Sequence, residues 1–219
     1  MDVIEIVEQI RALPNAYVDC GFLQGREAVL KQFQQREGGV SGAVIPDLRD
    51  ETEKVAAADR FISSMQEAIT ELIERTKPYE IPKDYILFLQ TYGGMLIDGE
   101  KYNFATYGIG PMVEDWYGYL NTADHVLMES GKLGWLSLGR LVFSRGHKYG
   151  YQRVVFLLDL ANSIRKDSVI GIGPWDGREP QELILSNLQS WNGKWTKVSD
   201  SFVEWLELAR RTAGEFVYG

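Results

Sequence analysis

The chain has 219 residues, of which 45% are hydrophobic and 25% charged, and its formal net charge at pH 7 is −8. This composition is close to the average of globular domains, so it excludes collagen-like, disordered and membrane-spanning chains. The excess of 31 acidic over 23 basic residues disfavours nucleic acid as a partner, because phosphate contacts need clustered Lys and Arg, and it favours a basic protein.

The N-terminal residues predict two helices. Apolar side chains recur with the helical spacing i, i+3, i+4, i+7 at Val3, Ile6, Val7 and Ile10. Asp2 and Glu5 are placed as a capping-box pair, and Pro14 closes the run. A second and shorter helix is predicted from Arg26 to Arg36, before a pair of glycines.

The longest predicted helix follows. Asp50 is placed as its N-cap with Glu53 as the capping-box partner, and Lys77-Pro78 ends it because proline lacks the N–H that a helix interior needs. One apolar stripe runs along it, which predicts one buried face. The stripe consists of Ala58, Phe61, Ile62, Met65, Ile69, Leu72 and Ile73.

An aromatic helix is predicted next. Pro82 suits the first helical position, and Gly93-Gly94 suits a stop. Its apolar side recurs at helical spacing in Tyr85, Phe88, Leu89 and Tyr92.

After this helix the pattern changes to short β-prone runs separated by glycine. Asp98-Gly99 predicts a tight hairpin turn, and Thr122–Met128 is predicted as a short helix. The predicted strands are Met95–Ile97, Tyr102–Phe104, Leu136–Phe143, Arg153–Leu158 and Val169–Ile172. The last helix carries Phe202, Trp205, Leu206 and Ala209 on one face, and Ser201 with Glu204 is placed as its capping box.

Helices at both ends of a run of hairpin-linked strands predict the α+β class, with a mostly antiparallel sheet packed by helices. We expect residues 1–50 to form an N-terminal helical extension and residues 51–219 to form the main domain.

The stretch 81–94, Ile-Pro-Lys-Asp-Tyr-Ile-Leu-Phe-Leu-Gln-Thr-Tyr-Gly-Gly, resembles the SUKH superfamily, which includes the Smi/Knr cell-wall regulators and many bacterial immunity proteins. Leu138-Gly139, the strand Val154–Asp159 and the helix entry Ser199–Leu206 agree with that resemblance. The resemblance implies an α+β scaffold that binds proteins. It also implies, for many bacterial members, an antidote that blocks a toxin, often a nuclease.

The chain shows no recognised catalytic or metal-binding motif, so we expect no catalytic residue, no metal and no cofactor. Cys20 is the only cysteine, and it is expected to be buried and inert. Two histidines and one cysteine cannot supply the four ligands of a structural zinc site. Gly-Ile-Gly-Pro occurs at 108–111 and again at 171–174, but neither copy continues as a dinucleotide-binding motif, so both are interpreted as strand-exit turns.

Two acidic-aromatic segments are the candidate partner-binding face if they are exposed, because large aromatic side chains supply much of the energy at interface centres. The alternative is that they are core residues with polar edges. The candidate residues are Glu114, Asp115, Trp116, Trp175, Asp176 and Glu179. Tryptophan beside paired carboxylates is also typical of glycosidases.

The acidic N-terminus lacks the pattern of a secretory signal, and the longest apolar runs, such as Val154–Leu158, are too short for a bilayer helix. With one thiol available, no internal disulfide can form, and the cytoplasm is the expected compartment. The leading hypothesis is a non-catalytic immunity protein that binds a basic toxin, with no nucleic acid and no membrane as partner. A regulatory scaffold of cell-wall or signalling pathways and a carbohydrate-active enzyme are the alternatives.

Overall fold

A computed structural model describes residues 1–37, 50–100, 102–106, 134–143, 153–162, 165–175 and 195–215. It confirms the predicted α+β class, since an antiparallel sheet is packed by helices that include an N-terminal helical segment. The short helix predicted at Thr122–Met128 lies outside the described residues. The division of the chain at residue 50 stays a prediction.

The helices of the described residues are α1 (Val3–Arg11), α2 (Gly25–Glu37), α3 (Glu51–Thr76), α4 (Lys83–Thr91) and α5 (Phe202–Thr212). The strands are β1 (Ala16–Cys20), β2 (Tyr92–Asp98), β3 (Tyr102–Thr106), β4 (Trp135–Phe143), β5 (Arg153–Asp159), β6 (Val169–Trp175) and β7 (Trp195–Ser199). The strands lie in the sheet in their chain order, and every neighbouring pair is antiparallel.

Two strands, β1 and β7, were not predicted from the sequence. Each has five residues and pairs with residues far along the chain, so no local pattern marked it as a strand. The stripe predicted for α4 also includes Tyr92, which instead begins β2. The strand runs through Gly93-Gly94 with no intervening loop. A Cβ atom at residue 93 would lie 3.1 Å from that of Asp19 on β1, and Gly94 has a φ of 139°, so both positions suit glycine within the strand.

Three helix N-termini are capped as the sequence predicts. The Asp2 side chain accepts a hydrogen bond from the Glu5 N–H at 2.8 Å. The Asp50 side chain accepts from the Thr52 N–H at 3.1 Å, and Ser201 accepts from the Glu204 N–H at 3.2 Å. Each bond satisfies a backbone donor that has no partner within the helix.

One face of the sheet and the inner sides of the helices form a continuous core. The face contributes alternate strand residues such as Met95, Phe104, Leu136, Phe156 and Leu158, all at most 1% exposed. On the opposite face, the strand register aligns one residue from each of β1 to β5 in a row, namely Tyr17, Leu96, Ala105, Arg140 and Val155. All but Tyr17 of that row are buried, so the middle of the sheet is covered on both faces.

A group of seven rings, here called the aromatic core, joins α4 and α5 to the sheet. Phe202 of α5 lies 5.0 Å from Tyr85 and 5.5 Å from Phe88, measured between ring centroids. Trp205 lies 5.0 Å from Phe104 and 5.2 Å from Phe156. Edge-to-face and tilted pairs at these distances contribute about 0.5–1.5 kcal/mol each beyond their buried area. The members are Tyr85, Phe88, Tyr92, Phe104, Phe156, Phe202 and Trp205.

Gly139 marks a bulge in β4, where the register with β5 shifts between Ser137 and Gly139. A Cβ atom at residue 139 would overlap the carbonyl oxygen of Ala105 on β3. Only glycine fits at this backbone approach, which gives a physical reason for the Leu138-Gly139 pair noted in the sequence.

The N-terminal helix is anchored in the same core. α1 packs on α4, α5 and β1, and its predicted apolar stripe, Val3, Ile6, Val7 and Ile10, is at most 1% exposed. The Tyr92 hydroxyl donates a hydrogen bond to Glu8 on α1 at 2.9 Å, and the Arg11 guanidinium lies 5.4 Å above the Tyr92 ring. Burial and the Glu8 carboxylate raise the pKa of Tyr92, so this phenol stays protonated at alkaline pH values that would ionise an ordinary tyrosine.

The buried stripe of α1 predicts a large difference between two isoleucines on the same helix. Ile10→Ala is expected to lower the free energy of unfolding by about 2–5 kcal/mol, because it leaves a cavity in the core. Ile4→Ala is the control, since Ile4 is 40% exposed, and its cost should stay below about 1 kcal/mol. Urea unfolding followed by tryptophan fluorescence measures both; equal costs would show that α1 does not belong to the core.

Two tyrosines of the aromatic core predict opposite effects of the same substitution. The Tyr85 hydroxyl is buried and has no hydrogen-bond partner within the described part of the chain, whereas the Tyr92 hydroxyl donates to Glu8. Tyr92→Phe should therefore lose about 0.5–1.5 kcal/mol of stability, and Tyr85→Phe should be neutral or stabilising. A Tyr85→Phe protein that unfolds at lower urea than Tyr92→Phe would contradict this assignment.

Candidate protein-binding surface

Most of the residues predicted to bind a partner lie outside the described residues. These are Glu114, Asp115, Trp116, Asp176 and Glu179, and their role stays a prediction. Trp175 is the last residue of β6, where its backbone pairs with Arg153 of β5. The structure therefore fixes where the second acidic-aromatic segment leaves the sheet.

The two acidic-aromatic segments depart from opposite ends of the sheet. The connection that carries residues 114–116 leaves β3 after Thr106 and re-enters at β4, whose Trp135 pairs with Asp159. The segment with Asp176 and Glu179 leaves at Trp175, which pairs with Arg153 at the other end of β5. Arg153 and Asp159 are six residue steps apart along β5, which corresponds to about 20 Å.

A polar surface that the sequence analysis did not single out lies on α3. We define the outer face of α3 as Ser63, Gln66, Glu67, Thr70, Glu71 and Glu74, which line a shallow, open depression. These positions are opposite the predicted apolar stripe, whose members Phe61, Met65, Ile69 and Leu72 are buried. The signal was thus present in the sequence, since an amphipathic helix exposes the side opposite its stripe.

The outer face of α3 carries three carboxylates, two of which form an ion pair with a described basic residue. Glu71 forms an ion pair with Arg75 at 2.7 Å, and Glu74 forms one with Lys77 at 2.7 Å. Both pairs are largely exposed and so contribute little to stability. Glu67 makes no ion pair with a described residue, so it is the least compensated negative charge of this face.

A second polar group lies where the β5–β6 turn meets the start of α5. The Asp200 carboxylate accepts from both Lys197, at 2.7 Å, and Arg165, and the hydrogen bond from Lys197 is the main reason that the pKa of Asp200 is lowered. Asp167, in the same turn, behaves oppositely. Burial raises the pKa of Asp167, and the nearby carboxylate of Asp159 adds to the effect.

Within the described ranges, no three Cys, His, Asp or Glu side chains are grouped so that they could hold a metal ion. Cys20 is buried, as predicted, and forms no disulfide. No helix in the described part of the chain is both long and apolar enough to cross a membrane.

The chain matches a known protein family. The model of the SMI1 / KNR4 family (SUKH-1) matches residues 65–208, about two thirds of the chain. The match begins within α3, ends within α5 and includes the whole of the sheet except β1. No curated protein and no solved structure matches the chain.

The opposite pKa shifts of Asp167 and Asp200 predict opposite effects of the same substitution at pH 7. The pKa of Asp200 is lowered in the folded protein, so its carboxylate stabilises the fold above the unfolded pKa, and this contribution is lost as the pH falls through the folded pKa. Asp167 has a raised pKa, so its ionised form costs stability at neutral pH, and the cost disappears in acid.

Asp200→Asn should therefore lower the urea midpoint at pH 7, and Asp167→Asn should raise it. Asparagine suits residue 167 because its φ is 62°, a left-handed conformation that asparagine tolerates. Both differences from the parent protein should shrink when the measurement is repeated near pH 3. Site-resolved NMR titration of the two carboxyls provides the check, and an Asp167 midpoint below that of Asp200 would contradict the assignment.

Proposed function

Because the chain belongs to the SMI1 / KNR4 family (SUKH-1), we propose that it is a non-catalytic protein-binding module and that its partner is a toxin, which it neutralises by forming a stoichiometric complex. The family match is the observation that carries this proposal. It supports the protein-binding level directly. The toxin, and the cytoplasm as the place where the toxin is blocked, are finer steps that we add.

The architecture is compatible with binding at the periphery rather than in an interior cavity. The central strands are buried on both faces, so their side chains are committed to packing. Outward-facing helix surfaces, strand edges and turns are what such a scaffold offers to another protein. The outer face of α3, with Glu67, Glu71 and Glu74, is the acidic surface that the described residues contribute.

The charge supports a basic toxin, such as a nuclease. A net charge of −8 attracts a positively charged protein over several ångströms and accelerates encounter, an effect that salt screens. Charged residues at the rim of an interface change the association rate more than the dissociation rate. We add Glu114, Asp115, Trp116, Trp175, Asp176 and Glu179 as proposed contact residues, because acidic and aromatic groups together suit a basic partner.

The first test is the gene next to this one: the proposal expects it to encode a toxin-like protein, and its absence there would weaken the antidote function. Co-expression should rescue cells from that toxin, and the purified pair should associate more slowly as ionic strength rises. Glu67→Lys should reduce the association rate about 2–10-fold with little change in the dissociation rate. Glu27→Lys is the matched control, because Glu27 is also an exposed carboxylate without an ion pair in the described part, and it lies on α2.

Failure of co-expression to rescue the cells would remove the antidote function. Equal association rates for Glu67→Lys and Glu27→Lys would move the interface away from α3 while leaving the antidote function intact. The same rescue assay with Trp116→Ala and Trp175→Ala tests the proposed aromatic contacts. Turnover of a glycan that disappears in Asp176→Asn would contradict the non-catalytic proposal.

A further inference from the structure

Among the described strands, β1 is the first of the sheet and pairs with β2 on one side, so its other side is a strand edge. The direction of its backbone groups follows from two bonds at its ends. The Asp98 N–H donates to the Asn15 carbonyl at 2.9 Å, and the Gly21 N–H donates to the Thr91 carbonyl at 2.8 Å. Backbone N–H and C=O groups alternate in direction along an antiparallel strand. Those of residues 17 and 19 therefore also point towards β2, and those of residues 16, 18 and 20 point away from it.

The outward-pointing N–H groups at the two ends of β1 already have hydrogen-bond acceptors. The Ala16 N–H donates to the Leu13 carbonyl at 3.3 Å, and the Cys20 N–H donates to the Gln32 side chain of α2 at 2.6 Å. Gln32 is held in place by a second bond, in which its amide donates to Asp19 at 3.2 Å. The N–H and C=O of Val18 lie between these caps, and no described group caps them. An uncapped strand edge of this kind is a template for another strand.

The side chains beside this edge are suited to a partner with positive charge. Ala16 and Val18 pack towards the helix-covered core, so Tyr17 lies on the opposite face, where it is 63% exposed and paired with Leu96. Asp19 and Asp98 are on the same face as Tyr17. β1 and β2 contain these two carboxylates and no Lys or Arg. A lysine or arginine across from Tyr17 would gain a cation–π contact and be attracted by the negative charge of this face.

We propose that the edge of β1 centred on Val18 receives an extended, basic segment of the partner protein, which adds to the sheet as an antiparallel strand. This inference rests on the proposed protein-binding function and specifies one surface for it. The added strand would exchange two backbone hydrogen bonds with Val18 and place its neighbouring residues beside Tyr17 and Asp19. A second copy of the chain fits less well, since it would bring two edges together that both carry carboxylates and no basic residue.

The experiment needs no knowledge of the natural partner. The probe is an eight-residue peptide of alternating lysine and valine, blocked at both ends, and the control peptide replaces each lysine by glutamate. Both are titrated into the ¹⁵N-labelled full chain at low ionic strength. The lysine peptide should bind at least tenfold more tightly than the glutamate peptide. It should also slow hydrogen exchange of the Val18 amide at least tenfold, because that amide becomes bonded.

Two variants separate the backbone from the side-chain contribution. Val18→Pro removes the outward N–H, which the sheet does not use, and proline is tolerated at such edge positions; binding of the lysine peptide should weaken about 2–10-fold. Tyr17→Lys changes an exposed side chain, so the fold is retained. It should weaken the lysine peptide and strengthen the glutamate peptide.

The proposal is overturned if the lysine peptide binds without slowing exchange at Val18, or if both variants bind it as the parent protein does. It is also overturned if the free protein already protects the Val18 amide by self-association. Peptide binding that persists when co-expression fails to rescue cells would reject the antidote function and keep the edge site. Rescue that persists without peptide binding would reject the edge site alone.

Discussion

The fold depends on the contacts that Phe202 and Trp205 of α5 make with the aromatic core. Phe202 contacts the rings of α4, and Trp205 contacts Phe104 and Phe156 of the sheet, all at centroid distances of 5.0–5.5 Å. One short helix at the end of the chain thus holds the preceding helix against the central strands. The position of α1 depends on this arrangement, since α1 packs in turn on α4 and α5.

Local chemistry made the helices predictable, and long-range pairing made parts of the sheet unpredictable. The caps at Asp2, Asp50 and Ser201 and the stripes of α1 and α3 depend on neighbours within a few residues, so spacing alone reveals them. The strand β1 exists because Ala16–Cys20 pairs with residues about eighty positions later. No pattern within five residues encodes that pairing, and the same holds for the end of α4, where Tyr92 enters a strand.

The proposed binding surfaces were harder to predict than the fold for a related reason. Clusters of aromatic and acidic residues are easily recognised in a sequence. The outer face of α3 is polar and can be located only as the side of the helix opposite its apolar stripe. The edge of β1 is harder still to predict, because its outward N–H and C=O groups belong to the backbone and leave no mark in the order of the side chains. Only the register with β2 and the caps from Leu13 and Gln32 single out Val18.

The packing of α1 against α5 has a consequence for how the protein is made. A ribosome releases α1 long before α5, so the apolar side of α1 cannot complete its packing until α5 has been made. During that interval its four apolar residues are accessible to chaperones and to misfolding. A chain truncated before α5 should therefore be recognised by the cell as unfinished.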